Sequence, residues 1–286
     1  MTLSLDALAR EAGVDAGHPT LSRERPFLDH WASHLLDARD PQRARWLRLE
    51  LDQIARNRTI AREVARFAPL DGARVLDVGC QLGALPVALA ELGAAVTGVD
   101  VDDALLAGAR LRAGCYGARA DFARAEAEAL PFDDNTFDVV TFVDVIEHVR
   151  DPRAAVRELA RVLRPGGTLY LFGPNRLSPS NLRADPHYQL FGVSVMPRWM
   201  GELYVTRVRS FPRYEVGVLP VGSRVARWLR DDGMRVVHSP ADDAERWWRA
   251  RVSSGAGVGL ARLWGHLRTS AASLFRLVAV KGPSLV

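Results

Sequence analysis

A chain of 286 residues can bury one main hydrophobic core, with room for smaller additions. Its residues are 48% hydrophobic and 25% charged, as in ordinary globular proteins, and no apolar run reaches the roughly 20 residues that cross a bilayer. The formal net charge is +4, but the arginines are scattered among acids, which disfavours nucleic acid as a partner. Two cysteines without metal-ligand spacing and an N-terminus unlike a secretory signal predict a cytoplasmic protein.

The first predicted elements are helices. Apolar residues recur near the helical period in residues 41–68, and this helix is expected to end before Pro69. The predicted apolar positions are Trp46, Leu49, Ile54, Ile60, Val64 and Phe67. We expect residues 1–70 to form an N-terminal helical cap.

From residue 74 the pattern alternates between short apolar strands and helices. Five strands follow one another in this way as far as residue 175, which implies a parallel sheet covered on both faces. A helix and a strand return in residues 223–239, and "LFRLVAVKG" predicts a last strand. Residues 71–286 are therefore expected to form one α/β domain, with a lid at 175–220 and a helical insertion at 240–273.

The segment "VLDVGCQLGALP", residues 75–86, predicts a strand, a tight glycine turn and a helix. Gly79 and Gly83 frame the turn, and Asp100 ends the next strand, where an acid can accept hydrogen bonds from ribose hydroxyls. This pattern fits either a dinucleotide or S-adenosylmethionine. The dinucleotide fingerprint fails because Gln81 stands where it needs its second glycine.

Further segments decide between the two cofactors. Asp77 lies inside the first strand, where a carboxylate can orient turn amides and a cationic amino group. With "AEAEALPFDDNTFDVV", "DVIEHVRDP" and "ELARVLRPGGTLYL", the stretch from about Arg74 to Pro174 resembles the class I S-adenosylmethionine-dependent methyltransferases. The nearest resemblance is to small-molecule O-methyltransferases of the ubiquinone-biosynthesis type. It implies an enzyme with a doubly wound, seven-stranded, mainly parallel sheet of the Rossmann-like kind.

The resemblance also implies which residues hold S-adenosylmethionine. They are Asp77, Gly79, Gln81, Gly83, Asp100, Val101, Glu126, Ala127, Val143 and Asp144. Asp100 would bind the ribose, Val101 would pack on adenine, and Glu126 would face the adenine amino group, with Glu128 as the rival register. Gln81 departs from the family's usual glycine, and we expect its backbone to keep a negative φ.

Two interpretations of the loop after the fourth strand stay open. His148 is the candidate catalytic base, although it could instead only shape the loop. Asp144, Glu147 and His148 also resemble the ligands of metal-assisted O-methyltransferases, with His187 as a fourth. A divalent metal is disfavoured, because the first acid is aspartate and because relatives without an evident metal share "EHV". Glu147 could instead cap a helix or pair with an arginine.

The acceptor is expected to meet the aromatic residues of the lid. His187, Tyr188 and Tyr204 are the candidate contacts, although each could belong to the lid's own small core. Residues 245–275 are rich in arginine and tryptophan, which fits a lid, a dimer contact or a membrane surface.

The sequence predicts transfer of a methyl group to a small molecule, with a hydroxyl oxygen as the favoured acceptor. N- or C-methylation, which needs no strong base, and a non-catalytic cofactor-binding protein are the alternatives. Arg58 is a weaker candidate for binding the cofactor carboxylate.

Overall fold

The structure is a computed structural model that describes residues 4–175, 178–183, 190–208, 221–239 and 274–283. The chain divides into two compact units, Met1–Glu126 and Ala127–Val286. The helical insertion predicted at 240–273 lies outside the described residues, and so does part of the lid predicted at 175–220. The boundary of the helical cap at residue 70 stays a prediction.

The first unit begins with four helices that share a core of their own. They are α1 (Leu5–Glu11), α2 (Pro19–Arg23), α3 (Arg25–His34) and α4 (Arg43–Val64). A proline stands at the start of α2 and of α3, where a missing N–H breaks no helical hydrogen bond. Buried side chains such as Leu8, Phe27, Leu28 and Leu47 fill the core between these helices.

The predicted apolar face of α4 is partly wrong. Trp46 is 39% exposed and Leu49 is 43% exposed. The buried apolar residues of α4 are Leu47, Leu51, Ile54, Ala61 and Val64. The indole N–H of Trp46 donates instead to Asp40 Oδ2 at 2.8 Å, on the outer side of the helix. The helix carries apolar residues on two faces, and periodicity alone does not say which face is covered.

Three parallel strands complete the first unit. They are β1 (Arg74–Val78), β2 (Ala95–Asp100) and β3 (Ala120–Arg124), connected by α5 (Ala84–Ala90) and α6 (Asp103–Tyr116). Asp102 starts α6 because its carboxylate accepts the backbone N–H groups of Ala104 and Leu105. The glycine turn after β1 and the loop after β2 therefore leave the same edge of these strands.

The second unit holds the other four strands. Its elements are β4 (Phe137–Val143), α7 (Pro152–Val162), β5 (Leu163–Pro174), α8 (Pro179–Arg183), α9 (Arg198–Val208), α10 (Gly222–Asp231), β6 (Met234–His238) and β7 (Leu274–Lys281). Strands β4 and β5 are parallel, whereas β7 runs antiparallel to both β5 and β6.

The described strands form one seven-stranded sheet in the order β3-β2-β1-β4-β5-β7-β6. This order, with β7 as the antiparallel strand in the pairings with β5 and β6, confirms the predicted seven-stranded, mainly parallel α/β fold. Within the described part of the chain, no helix combines the length and the apolar character needed to cross a membrane.

Candidate active site

The glycine turn has three residues in the left-handed backbone region. Their φ angles are 77° at Gly79, 46° at Gln81 and 76° at Gly83. Gly83 also lies so close to α6 that a Cβ there would come within 2.9 Å of the Ala109 Cβ. Gly83 is therefore required both by its backbone conformation and by the packing of the turn on α6.

The expected negative φ at Gln81 is wrong. A left-handed conformation costs a non-glycine residue about 1–2 kcal/mol. The backbone N–H of Gln81 donates to Asp100 Oδ2 at 2.9 Å, and a hydrogen bond to a charged acceptor contributes about 1.5–3 kcal/mol. This bond offsets the strain, and it holds the turn after β1 to the end of β2.

Asp100 and Val101 stand together where β2 ends. Asp100 is buried, and its Oδ1 accepts the backbone N–H of Asp102 at 3.2 Å. Each carboxylate oxygen can accept more than one hydrogen bond, so Asp100 keeps capacity for a ligand's hydroxyl groups. Val101 is 56% exposed, which leaves an apolar surface directly beside that carboxylate.

Two further side chains of the turn region are buried. Asp77 lies inside β1 at 3% exposure, and Cys80 follows it at 5%. Burial raises the pKa of the Cys80 thiol, and the carboxylates of Asp77 and Asp100 raise it further. Cys80 is therefore a protonated packing residue rather than a nucleophile.

The rival acids after β3 differ in their surroundings. Glu126 is exposed. Glu128 Oε1 accepts the backbone N–H groups of Arg150 and Asp151, at 2.8 and 3.3 Å, and so braces the segment that enters α7. Ala127, between the two acids, is buried. Glu128 thus has a structural role in that segment, and the assignment of Glu126 to the cofactor stays a prediction.

In the second unit, a residue with a left-handed backbone directly follows β4. Val143 is half-buried, and Asp144 has a φ of 55°, a value that aspartate tolerates better than most residues. The Asp144 N–H donates to the Phe172 carbonyl at 2.9 Å, which fixes the start of the following loop on β5.

In that loop a buried residue, Glu147, is followed by an exposed one, His148. Glu147 is 2% exposed and lies against Gly173, whereas the His148 side chain is 41% exposed. Burial raises the pKa of the Glu147 carboxyl to about 8, a backbone hydrogen bond partly opposes the rise, and Asp144 adds to it. His148 Nε2 lies 4.0 Å from Glu147 Oε1. A proton acceptor open to solvent thus stands beside a carboxyl group that is largely protonated at pH 7.

Asp144, Glu147 and His148 are the predicted metal ligands that the structure describes. Among the residues that the structure describes, no three histidine, cysteine or acidic side chains are close enough to hold a metal ion together. His187 lies outside the described residues.

The remaining candidates are those for binding the acceptor and the cofactor carboxylate. His187 and Tyr188 lie outside the described residues, so their contact with an acceptor stays a prediction. Tyr204, on α9, packs partly buried against Leu190, Val193 and Val205, in a small core. Arg58 donates two hydrogen bonds to Glu91, at 2.6 and 2.7 Å, and its contact with a cofactor carboxylate stays a prediction.

Sequence reasoning missed one residue that contacts the glycine turn. Arg112 of α6 is fully buried and donates from Nη1 to the Leu82 carbonyl at 3.1 Å. The sequence carries a signal, because Arg112 follows Gly108 by four residues and Ala109 by three and so shares a helical face with two small residues. An arginine on the covered face of a helix indicates a buried partner of opposite charge.

Comparisons with known proteins point to one family. A family model described as a methyltransferase domain matches residues 76–171, from β1 into β5. The ubiquinone biosynthesis O-methyltransferase of Xanthomonas axonopodis pv. citri is 35% identical over 198 residues, which are 68% of this chain and 76% of that protein. The protein of the same name from Pseudomonas paraeruginosa is 34% identical over 170 residues, which are 59% of this chain and 67% of that protein.

A solved structure supports the same fold. The PH0226 protein from Pyrococcus horikoshii OT3 superimposes with a TM-score of 0.55 at 19% identity. The match covers 79% of this chain and 90% of that chain. At this identity the likeness concerns the fold alone.

Proposed function

Because the chain belongs to the class I S-adenosylmethionine-dependent methyltransferases, we propose that it methylates a hydroxyl oxygen of a small-molecule acceptor. Both relatives described above are named as O-methyltransferases of ubiquinone biosynthesis, and the chain covers 76% of the first. A ring-bearing phenol is the acceptor class that this likeness supports best.

One observation carries the assignment of the cofactor residues: the Asp100 carboxylate beside the exposed Val101. A ribose offers hydroxyl donors to the carboxylate, and adenine offers a flat apolar face to the valine, so these residues fit the cofactor. The other residues assigned to the cofactor are Asp77, Gly79, Gln81, Gly83, Glu126, Ala127, Val143 and Asp144.

The cofactor, when bound, would supply a methyl group on a cationic sulfur. An acceptor oxygen would bond to the methyl carbon, with the sulfur as the leaving group. In this proposal His148 takes the proton from the acceptor hydroxyl, because its side chain is exposed and neutral imidazole accepts a proton near pH 7. The imidazolium so formed lies 4.0 Å from Glu147 Oε1. Its positive charge favours ionisation of Glu147, which would stabilise the protonated histidine.

The cofactor assignment is tested by calorimetric titration with S-adenosylhomocysteine. Asp100→Asn should weaken binding by about tenfold or more, since a charged acceptor of the ribose hydroxyls is lost. Asp103→Asn is the matched control, because Asp103 is exposed and forms a 3.3 Å ion pair with the exposed Arg124. Equal affinity of wild type and Asp100→Asn would refute the assignment of Asp100.

The reaction is tested with S-adenosylmethionine carrying a labelled methyl group and a panel of catechols and matching anilines. We expect label on the hydroxyl oxygen. We expect His148→Gln to lower kcat most at and above neutral pH, where the wild-type imidazole is unprotonated, and to remove the fall in kcat at acidic pH. Label on nitrogen or carbon alone would favour the alternative reactions. Cofactor binding without turnover of any acceptor in a broad panel would favour a non-catalytic protein.

A further inference from the structure

Arg112 connects three segments of the first unit through one buried guanidinium group. Its Nε and Nη2 donate to Glu24 Oε2, at 3.3 and 3.2 Å, and Nη2 also donates to Glu50 Oε1. Its Nη1 donates to the Leu82 carbonyl at 3.1 Å. Glu24 lies between α2 and α3, Glu50 lies on α4, and Leu82 lies in the glycine turn.

Leu82 is a sensitive point in that turn. The residue before it donates its backbone N–H to Asp100, and the residue after it, Gly83, is packed against Ala109. The Leu82 side chain contacts the core of the N-terminal helices, and its carbonyl is held by Arg112. Displacement of the Leu82 carbonyl would therefore also move the backbone of Gln81, whose N–H donates to Asp100.

The position of the guanidinium is set by the N-terminal helices. The Phe27 ring of α3 lies 3.8 Å from the Arg112 guanidinium carbon, and the two carboxylates come from the segments on either side of α3. Burial raises the pKa of Glu24, although Arg112 opposes the rise. Two carboxyl groups and one guanidinium are buried together, so the cluster depends on all three members for its charge balance.

We propose that Arg112 is a positioning residue that makes cofactor affinity depend on the packing of the N-terminal helices. The Arg112 cluster, formed by Arg112, Glu24 and Glu50, holds the Leu82 carbonyl and so keeps the glycine turn in its binding conformation. This inference rests on the proposed cofactor site. Cofactor binding and helix packing affect each other by the same factor, because coupling between two equilibria is reciprocal.

The first test measures S-adenosylhomocysteine affinity in folded variants. Arg112→Lys keeps the charge but loses the planar set of donors that reaches several acceptors, and should raise Kd about five- to tenfold. Glu50→Gln changes a group whose described contact is with Arg112, not with the turn, and should raise Kd about two- to fivefold. Asp232→Asn, which breaks a partly buried ion pair with Arg153 in the second unit, should bind within twofold of wild type.

A second readout separates positioning from mere stability. Hydrogen–deuterium exchange of the α3 amides should slow in wild type when S-adenosylhomocysteine binds, and this protection should disappear in Arg112→Lys. In steady state the KM for S-adenosylmethionine should rise while kcat stays within about twofold.

The outcomes are distinguishable. If wild type binds S-adenosylhomocysteine and the folded variants bind equally well, the inference is wrong and the proposed function stands. If wild type does not bind it, the proposed function fails and the inference falls with it. Where Arg112→Lys does not fold, Glu50→Gln and Glu24→Gln decide the question, because both leave Arg112 in place.

Discussion

Gln81 shows how a single residue can depart from a family pattern and still keep the geometry of its turn. Its φ of 46° is a conformation that glycine adopts without strain. Gln81→Gly should therefore raise the free energy of unfolding by up to about 1 kcal/mol, since the relief of strain exceeds the added flexibility of the unfolded chain. Urea unfolding measures the change.

Gln81→Ala is the matched control for this prediction, because it removes the side chain but keeps the strained backbone. Its stability should lie within a few tenths of a kcal/mol of wild type. Both variants keep the backbone N–H that donates to Asp100, so S-adenosylhomocysteine affinity should be retained in both. A loss of affinity in both would assign a binding role to the glutamine side chain itself.

Glu147 makes stability depend on pH. Its pKa is about 8 in the folded protein, against 4.5 as the ordinary value, so the folded state binds more protons between these two pH values. Stability should therefore fall as the pH rises from about 4.5 to 8. Glu147→Gln removes this penalty and should stabilise the protein at pH 9 by a few kcal/mol relative to its effect at pH 5.

Thermal unfolding of wild type and Glu147→Gln at pH 5, 7 and 9 measures this pH dependence of stability. Parallel curves would mean that Glu147 ionises normally in the folded state. If Glu147 also stabilises the protonated His148, the more stable variant should turn over acceptor more slowly. A buried carboxyl group would then be retained for activity at a cost in stability.

At the scale of elements, the contact between the glycine turn and α6 fixes where the turn lies. Gly83→Ala combines a left-handed backbone with a Cβ 2.9 Å from Ala109, so it should lower the free energy of unfolding by about 2 kcal/mol or more. Gly114→Ala, within α6, has open space around the new methyl group and should stabilise the helix by about 0.5–1 kcal/mol. Opposite signs in chemical denaturation are the expected result.

The elements that sequence predicts best are those with local signals. Asp102 and Gly117 mark the two ends of α6, and alternation of strand and helix predicts the parallel sheet before any contact is known. The covered face of α4 was not predictable in the same way, because Trp46 and Leu47 are both apolar neighbours on a helix. Only the packing of α1 and α3 on α4 decides that Leu47 is the buried one.

Within the candidate site, too, local sequence signals predict some residues, whereas contacts between distant parts of the chain determine others. Asp100 and Gly83 follow strands at fixed spacings, so their place in the chain predicts their place in the site. The pairing of Arg112 with Glu24 and Glu50 spans 88 and 62 residues, and no local pattern joins them. The left-handed φ of Gln81 likewise depends on Asp100, 19 residues away.

At the scale of the whole molecule, one basic residue is chemically distinct. Lys281 is the only lysine among 38 lysine and arginine residues. It stands at the end of β7, and its ammonium group donates to Leu163 O at 2.7 Å, Arg161 O at 3.2 Å and Asn135 Oδ1 at 2.8 Å. The three N–H donors of the Lys281 ammonium group thus bind three acceptors that lie more than a hundred residues away in the chain.

This geometry predicts that arginine cannot replace Lys281. A planar guanidinium on a longer side chain cannot direct donors at three acceptors gathered around one nitrogen, whereas an ammonium group can. Lys281→Arg should cost about 1–2 kcal/mol of unfolding free energy, close to the cost of Lys281→Met. Arg230→Lys, on the exposed face of α10, is the reciprocal control and should change stability by less than about 0.5 kcal/mol. If Lys281→Arg unfolds at the same urea concentration as wild type, charge rather than donor geometry holds the end of β7.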